Sequence, residues 1–183
     1  MSVTNAIPSS LRSLLLVCAL GGLTAACSST PRQPTMLSEV DPQRLSVALR
    51  EVRELRSEGR RVWCVPFARN ASGIEIRGNA HTWWHKAKGE YARGDTPQPG
   101  AVMSFAPTGS MRLGHIAVVA RVISPREIEV HHANWERNEV SLAMPVIDVS
   151  SRGDWSEVRV KSQPTAFGSV YPVNGFIYPD SRG

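Results

Sequence analysis

One stretch of the chain repeats apolar residues at the spacing of a helix. The repeat consists of Leu45, Ala48, Leu49, Val52 and Leu55. It follows Asp41-Pro42, a common way to start a helix, and it stops at Gly59. The pattern predicts an amphipathic helix over about residues 42–58. We expect its apolar stripe to pack on the domain that follows, although its arginine-rich face could contact lipid headgroups.

Two shorter helices are predicted next, and beyond residue 100 the pattern changes to that of strands. One helix starts at Cys64 and the other covers residues 80–88, closed by Gly89. Apolar runs typical of strands occupy residues 101–105, 114–122, 127–135, 142–149, 155–160 and 175–178. The Ser124-Pro125 turn predicts that the second and third of these runs are adjacent and antiparallel. Helices followed by a run of strands are typical of an α+β domain.

The first 40 residues look like export and attachment signals. Residues 1–26 contain one basic residue and an apolar run too short to span a membrane, which predicts a signal peptide. The segment Leu23-Thr24-Ala25-Ala26-Cys27 resembles a bacterial lipobox, which implies a lipid on Cys27, although an ordinary signal peptidase could also cut there. Residues 27–40 then read as a flexible tether, 41–59 as a packing helix and 60–180 as the main folded domain.

The length and net charge of the chain limit the domains and the binding partners that it can have. The chain has 183 residues, enough for one sizeable core, and a formal net charge of +5. Removing residues 1–26 leaves 20 basic and 16 acidic side chains, hence a net charge of about +4. No stripe of alternating basic and aromatic residues supports nucleic-acid binding. An exported, modestly basic protein would instead meet anionic cell-wall polymers.

The candidate nucleophile is Cys64, the one thiol in the part of the chain that is expected to fold. It precedes Val65-Pro66-Phe67, at the predicted start of a helix. Orphan N–H groups and the helix dipole favour a thiolate at such a position, so we expect its pKa to be lowered. Taken alone, a single cysteine is more often a small buried hydrophobic residue.

Five motifs in order resemble a CHAP domain, a cysteine- and histidine-dependent amidohydrolase/peptidase family related to NlpC/P60 and papain-like proteins. They are Cys64-Val65-Pro66-Phe67-Ala68-Arg69, Gly78-Asn79-Ala80 with Trp83-Trp84, Pro97-Gln98-Pro99-Gly100-Ala101-Val102, Gly114-His115-Ile116-Ala117-Val118-Val119 and His132-Ala133-Asn134-Trp135. The resemblance implies a papain-like, NlpC/P60-like fold in which N-terminal helices pack against an antiparallel β-sheet. It also implies that Cys64 is the nucleophile and that His115 is its base.

The third catalytic group is open between two residues of one strand. Side chains alternate along a strand, so His132 and Asn134 share a face that His131 does not. Many CHAP domains have an acid where this chain has His132, and a histidine there is similar to the Cys-His-His arrangement of NlpC/P60 enzymes. We expect His132 to orient His115, with Asn134 as the alternative or as a substrate contact.

The sequence gives weaker support for a metal site and for a role of the tryptophans in binding substrate. His81 and His85 have helical spacing, but no glutamate follows the first, as a zincin motif requires, so the sequence predicts no metal and no cofactor. Trp83, Trp84 and Trp135 are more often core residues, and they are also candidates to line a substrate cleft.

Together these features predict a peptidoglycan amidase or cross-link endopeptidase, placed as an outer-membrane lipoprotein facing the periplasm. Its predicted partners are peptidoglycan and, through the lipid anchor, the membrane; an activating protein is an open possibility. The alternatives are a non-catalytic envelope-binding lipoprotein that keeps the CHAP fold, and an amidase of small peptide conjugates.

Overall fold

A computed structural model describes residues 40–179. The predicted signal peptide 1–26, the lipid site Cys27 and the tether up to residue 39 therefore lie outside the described residues. Within them the chain forms helices α1 (Pro42–Ser57), α2 (Cys64–Ser72) and α3 (Trp83–Lys86), with a 3₁₀ turn at Ala80–Thr82 directly before α3. No helix in this part of the chain is long and apolar enough to cross a membrane.

The helix ends follow from local chemistry. The Asp41 side chain accepts hydrogen bonds from the backbone N–H of Gln43 (2.8 Å) and of Arg44 (3.4 Å), so α1 starts where the sequence predicts. Gly73 closes α2 in the left-handed conformation, with a φ of 78°. The single helix predicted over 80–88 is instead divided between the 3₁₀ turn and the four-residue α3.

Seven antiparallel strands form the sheet. They are β1 (Arg93–Gly94), β2 (Val102–Phe105), β3 (His115–Ser124), β4 (Glu127–Ala133), β5 (Val140–Asp148), β6 (Glu157–Val160) and β7 (Val170–Ile177). Their spatial order is β1-β7-β2-β3-β4-β5-β6, and β6 also pairs with β7, which closes the sheet on itself. Few helices and an antiparallel sheet make this an α+β fold. The domain boundaries at residues 40 and 60 stay predictions.

The two faces of the sheet carry separate apolar clusters. Ile116 and Val118 of β3 join a cluster that includes Ala48 of α1 and Phe67 of α2. The alternate residues of β3, Ala117 and Val119, join a second cluster inside the closed sheet. Burial on both faces explains why the first six residues of β3 are buried without a break. This central strand therefore supports α2 on one side and a buried interior on the other.

Candidate active site

Cys64 is the first residue of α2 and opens onto a cleft. Trp63 before it has an extended backbone, so the chain turns into the helix at the cysteine itself. Pro66 fits the first turn because the N–H groups there have no partner within the helix. Cys64 is a free thiol and is partly exposed. The local sequence thus places the thiol at the N-terminus of α2, where it faces the cleft.

The cleft has a volume of about 990 Å³ and brings together the predicted nucleophile and base. Residues from six parts of the chain line it, among them Cys64, Asn79, Leu113, His115, Asn134 and Trp135. Trp63 and Leu113 are 45% and 54% exposed, although both are large apolar side chains. The rim therefore offers apolar contact surface to a ligand.

His115 is the first residue of β3 and is buried. Gly114 before it has a φ of 65°, and a Cβ on it would lie 3.0 Å from the backbone of His81 and 3.1 Å from the carbonyl oxygen of Phe105. The backbone N–H of His81 also donates to the carbonyl oxygen of Leu113 (2.8 Å). Only glycine fits this close crossing, so Gly114 fixes the point at which β3 and His115 begin.

His132 of β4 lies directly against His115. His115 Nε2 and His132 Nδ1 are 3.0 Å apart, a hydrogen-bond distance that needs one proton between the two nitrogens. The Trp135 ring stacks on His132 at 5.3 Å and meets His115 edge-on at 5.1 Å. Burial among these rings lowers the pKa of His115 to about 3. Burial also lowers the pKa of His132, assisted by the neighbouring His115 and His131. Both rings are therefore neutral at pH 7.

The thiol is neutral at pH 7 as well, which corrects the expectation of a lowered pKa. Partial burial raises the pKa of Cys64 above its ordinary value. The backbone N–H groups of Ile116, Cys64 and Val65 interact with the thiol and oppose the shift, but they do not outweigh the loss of water. Helix position alone was therefore a poor guide to ionisation. Because Ile116 directly follows His115 in β3, the contact between its backbone N–H and the thiol places Cys64 close to the predicted base.

His131 and Asn134, which flank His132 on either side, have different surroundings. His131 Nδ1 accepts a hydrogen bond from the backbone N–H of Ala143 (3.0 Å). Asn134 follows the end of β4 with a φ of 61°, and its Oδ1 accepts from the backbone N–H of Asn138 (2.9 Å). It lines the cleft, but its side-chain oxygen holds the turn that follows β4. Of the two candidates for the third position, His132 is the one hydrogen-bonded to His115.

The tryptophans divide between the cleft and the core. Trp135 lines the cleft and its Nε1–H donates to Ser162 Oγ (3.0 Å). Trp83 is completely buried, which excludes it as a cleft residue. Trp84 lies in a separate shallow pocket, where the Arg93 guanidinium covers its ring at 4.5 Å. Of the three candidates, Trp135 is the one that lines this cleft. Trp83 is a core residue, the position that the sequence favoured, and Trp84 packs beside Arg93.

Several cleft residues were not predicted from the sequence. They are Trp63, Ser110, Met111, Arg112, Glu136 and Tyr171. Trp63 could have been found from its place beside Cys64. Tyr171 lies in the first half of β7, which was not predicted as a strand because Pro172 and Asn174 are uncommon in strands. Met144 lies outside the cleft but touches His132, with 3.2 Å between its Sδ and His132 Nε2. Among residues 40–179 no three His, Cys, Asp or Glu side chains are grouped so that they could hold a metal ion.

The comparison with protein-family models agrees with the motifs. No curated protein and no solved structure matches the chain. The family model of the CHAP domain matches residues 56–134, a range that contains Cys64, His115, His132 and Asn134. CHAP domains are generally cysteine- and histidine-dependent amidohydrolases or peptidases, and many act on peptidoglycan. The predicted resemblance to the CHAP family is confirmed over residues 56–134, the part of this chain that the family model matches.

Proposed function

We propose that the protein is an exported cysteine hydrolase that cleaves an amide bond of peptidoglycan. The bond is either the amide between the sugar and the stem peptide or a peptide cross-link. One observation carries the proposal: Cys64 shares a cleft with His115, and His115 Nε2 is 3.0 Å from His132 Nδ1. A thiol, an imidazole and a polar group that orients the imidazole are the parts that amide cleavage by covalent catalysis requires.

In the proposed mechanism the thiol and the imidazole start neutral. His115 Nε2 is engaged with His132, so Nδ1 is the ring nitrogen left to act on Cys64. As the sulfur attacks the amide carbon, Nδ1 takes the thiol proton and then gives it to the leaving amine. The C–N bond breaks and a thioester forms on Cys64. Water, deprotonated by the same nitrogen, then cleaves the thioester, so that the carboxylic acid leaves and the thiol returns.

His132 orients His115 in this proposal, and Asn134 supports the turn beside it. The fold we propose is papain-like, with α2 carrying the nucleophile and β3 carrying the base. We further propose that Cys27 bears a lipid and that the domain faces the periplasm from the outer membrane. The signal-like segment 1–26 and the lipobox-like residues before Cys27 support this location.

A second function has an observation in its favour. Burial raises the pKa of Cys64 and lowers that of His115, so the resting site lacks a thiolate–imidazolium pair. A non-catalytic lipoprotein that holds peptidoglycan in the same cleft would need no such pair. An amidase of small conjugates finds less support, because the cleft of about 990 Å³ and its apolar rim suit a larger ligand.

Digestion of purified cell walls distinguishes these functions. Walls are incubated with the wild-type protein and with Cys64→Ala, and the soluble fragments are identified by mass spectrometry. We expect the wild type to release fragments with new amino and carboxyl termini at one kind of bond, which the masses identify. We expect none from Cys64→Ala. Binding of the walls by both proteins without any release would favour the non-catalytic function.

A further inference from the structure

Met144 contacts His132, the member of the histidine pair that does not line the cleft. Its Sδ lies 3.2 Å from His132 Nε2, while the other nitrogen of His132 faces His115. We propose that Met144 is a positioning residue that selects the protonation pattern in which His115 can act as a base. The inference rests on the proposed function, because it concerns how that site is held ready.

A bulge in β5 brings the thioether to this place. Met144 pairs with Val130 across the β4–β5 ladder, and the next pair is Ser141 with His132, so β5 has one extra residue in between. Ala143 in this bulge has a φ of 51°, and its N–H donates to His131 Nδ1 (3.0 Å). The bulge is therefore pinned by the histidine beside His132. Met144 and the buried His132 meet diagonally across the two strands.

Two neutral rings share two protons among four nitrogens. One proton lies between His115 Nε2 and His132 Nδ1 and can belong to either ring. If it belongs to His115, then His132 carries its own proton on Nε2, facing the Met144 sulfur. If it belongs to His132, then His132 Nε2 has a bare lone pair, and His115 must carry its own proton on Nδ1.

The sulfur decides between these two patterns. A thioether can accept a hydrogen bond but cannot donate one. In the first pattern His132 Nε2–H donates to Met144 Sδ across the 3.2 Å gap. In the second pattern two lone pairs face each other in a site where His132 has no exposure to water. Met144 therefore favours the first pattern, which leaves His115 Nδ1 unprotonated. That is the form that can take a proton from Cys64.

Nitrogen NMR of the histidine rings tests the inference without any substrate. At pH 7 the wild type should show protonated Nε2 and unprotonated Nδ1 on both rings of the pair. Met144→Leu keeps the size and apolar character but removes the acceptor, so the two patterns should become mixed. The signal of His115 Nδ1 should then move toward that of a protonated nitrogen. Met103→Leu is the matched control, because Met103 is a buried methionine in the same interior cluster, on β2.

Steady-state kinetics of the same variants provides a second test of the role of Met144. Because part of the Met144→Leu protein would hold His115 in the unproductive pattern, kcat should fall about three- to tenfold with little change in KM, whereas Met103→Leu should keep the wild-type kcat. Unchanged ring signals in Met144→Leu, or a wild-type His115 protonated on Nδ1, would overturn the role of Met144. A wild type with the expected ring signals but no hydrolysis would leave the role standing and overturn the proposed function instead.

Discussion

Acid should destabilise this protein through its buried histidine pair. The pKa of His115 is lowered to about 3 by burial, and that of His132 is lowered too. A histidine in the unfolded chain titrates near 6.5, so between these values the unfolded state binds more protons than the folded state. The stability that the neutral pair contributes is therefore fully present above pH 6.5. It is lost progressively as the pH falls toward 3.

The size of the effect follows from the His115 shift. Each pH unit inside this window costs about 1.4 kcal/mol for one histidine. At pH 4.5, two units below 6.5, His115 alone lowers the free energy of unfolding by about 3 kcal/mol. His132 acts in the same direction. Domains of this size are stable by about 5–15 kcal/mol, so the loss is a substantial fraction of the total.

Urea unfolding between pH 7.5 and 4.5 measures this dependence. We expect the free energy of unfolding of the wild type to fall with acid, and His115→Gln to fall less steeply by about 1.4 kcal/mol per unit. His85→Gln is the control, because His85 is exposed. The free energy of unfolding of this variant should change with pH as that of the wild type does. A wild-type stability that is flat from pH 6.5 to 4.5, or equal slopes for all three proteins, would refute the burial of a neutral pair.

Three further outcomes are expected. Iodoacetamide should label Cys64 slowly at pH 7 and ever faster through pH 9, because burial raises the pKa of the thiol; a rate that levels off below pH 8 would contradict this. His132→Ala should lower kcat by up to about 10²- to 10⁴-fold with a smaller change in KM, His132→Glu should recover part of the loss, and His131→Ala should cost little; equal kcat in His132→Ala and the wild type would exclude the orienting role. Asn138→Gly should cost about 1 kcal/mol in urea unfolding because Asn138 Oδ1 accepts from the N–H of Val62 (2.8 Å), and Asn138→Asp, which keeps an acceptor, should cost less.

Local signals in the sequence predicted much of the scaffold. Asp41-Pro42 marked the start of α1, and Ser124-Pro125 marked the turn between β3 and β4. Strand alternation also separated His132 from His131, and these two rings do have different partners. Each of these features depends on residues close together in the chain, which is why a pattern could reveal them.

Features that depend on distant residues were not predictable in this way. The closure of the sheet pairs β6 with β7, and the first half of β7 contains Pro172 and Asn174, which mask its strand character. The ionisation of Cys64 depends on how much water reaches the thiol, and helix position does not report that. The Met144 contact depends on a bulge of one residue in β5. None of these leaves a periodic trace in the sequence.

Trapping the acyl group on Cys64 tests the central proposal most directly. Peptidoglycan fragments are mixed with the wild-type protein, the reaction is stopped with acid within seconds, and the tryptic peptide spanning residues 62–69 is analysed by mass spectrometry. We expect a mass increase equal to the acyl part of the substrate, bonded to Cys64 and absent without substrate. Continued release of fragments by Cys64→Ala, with no acyl group on the wild-type peptide, would contradict it.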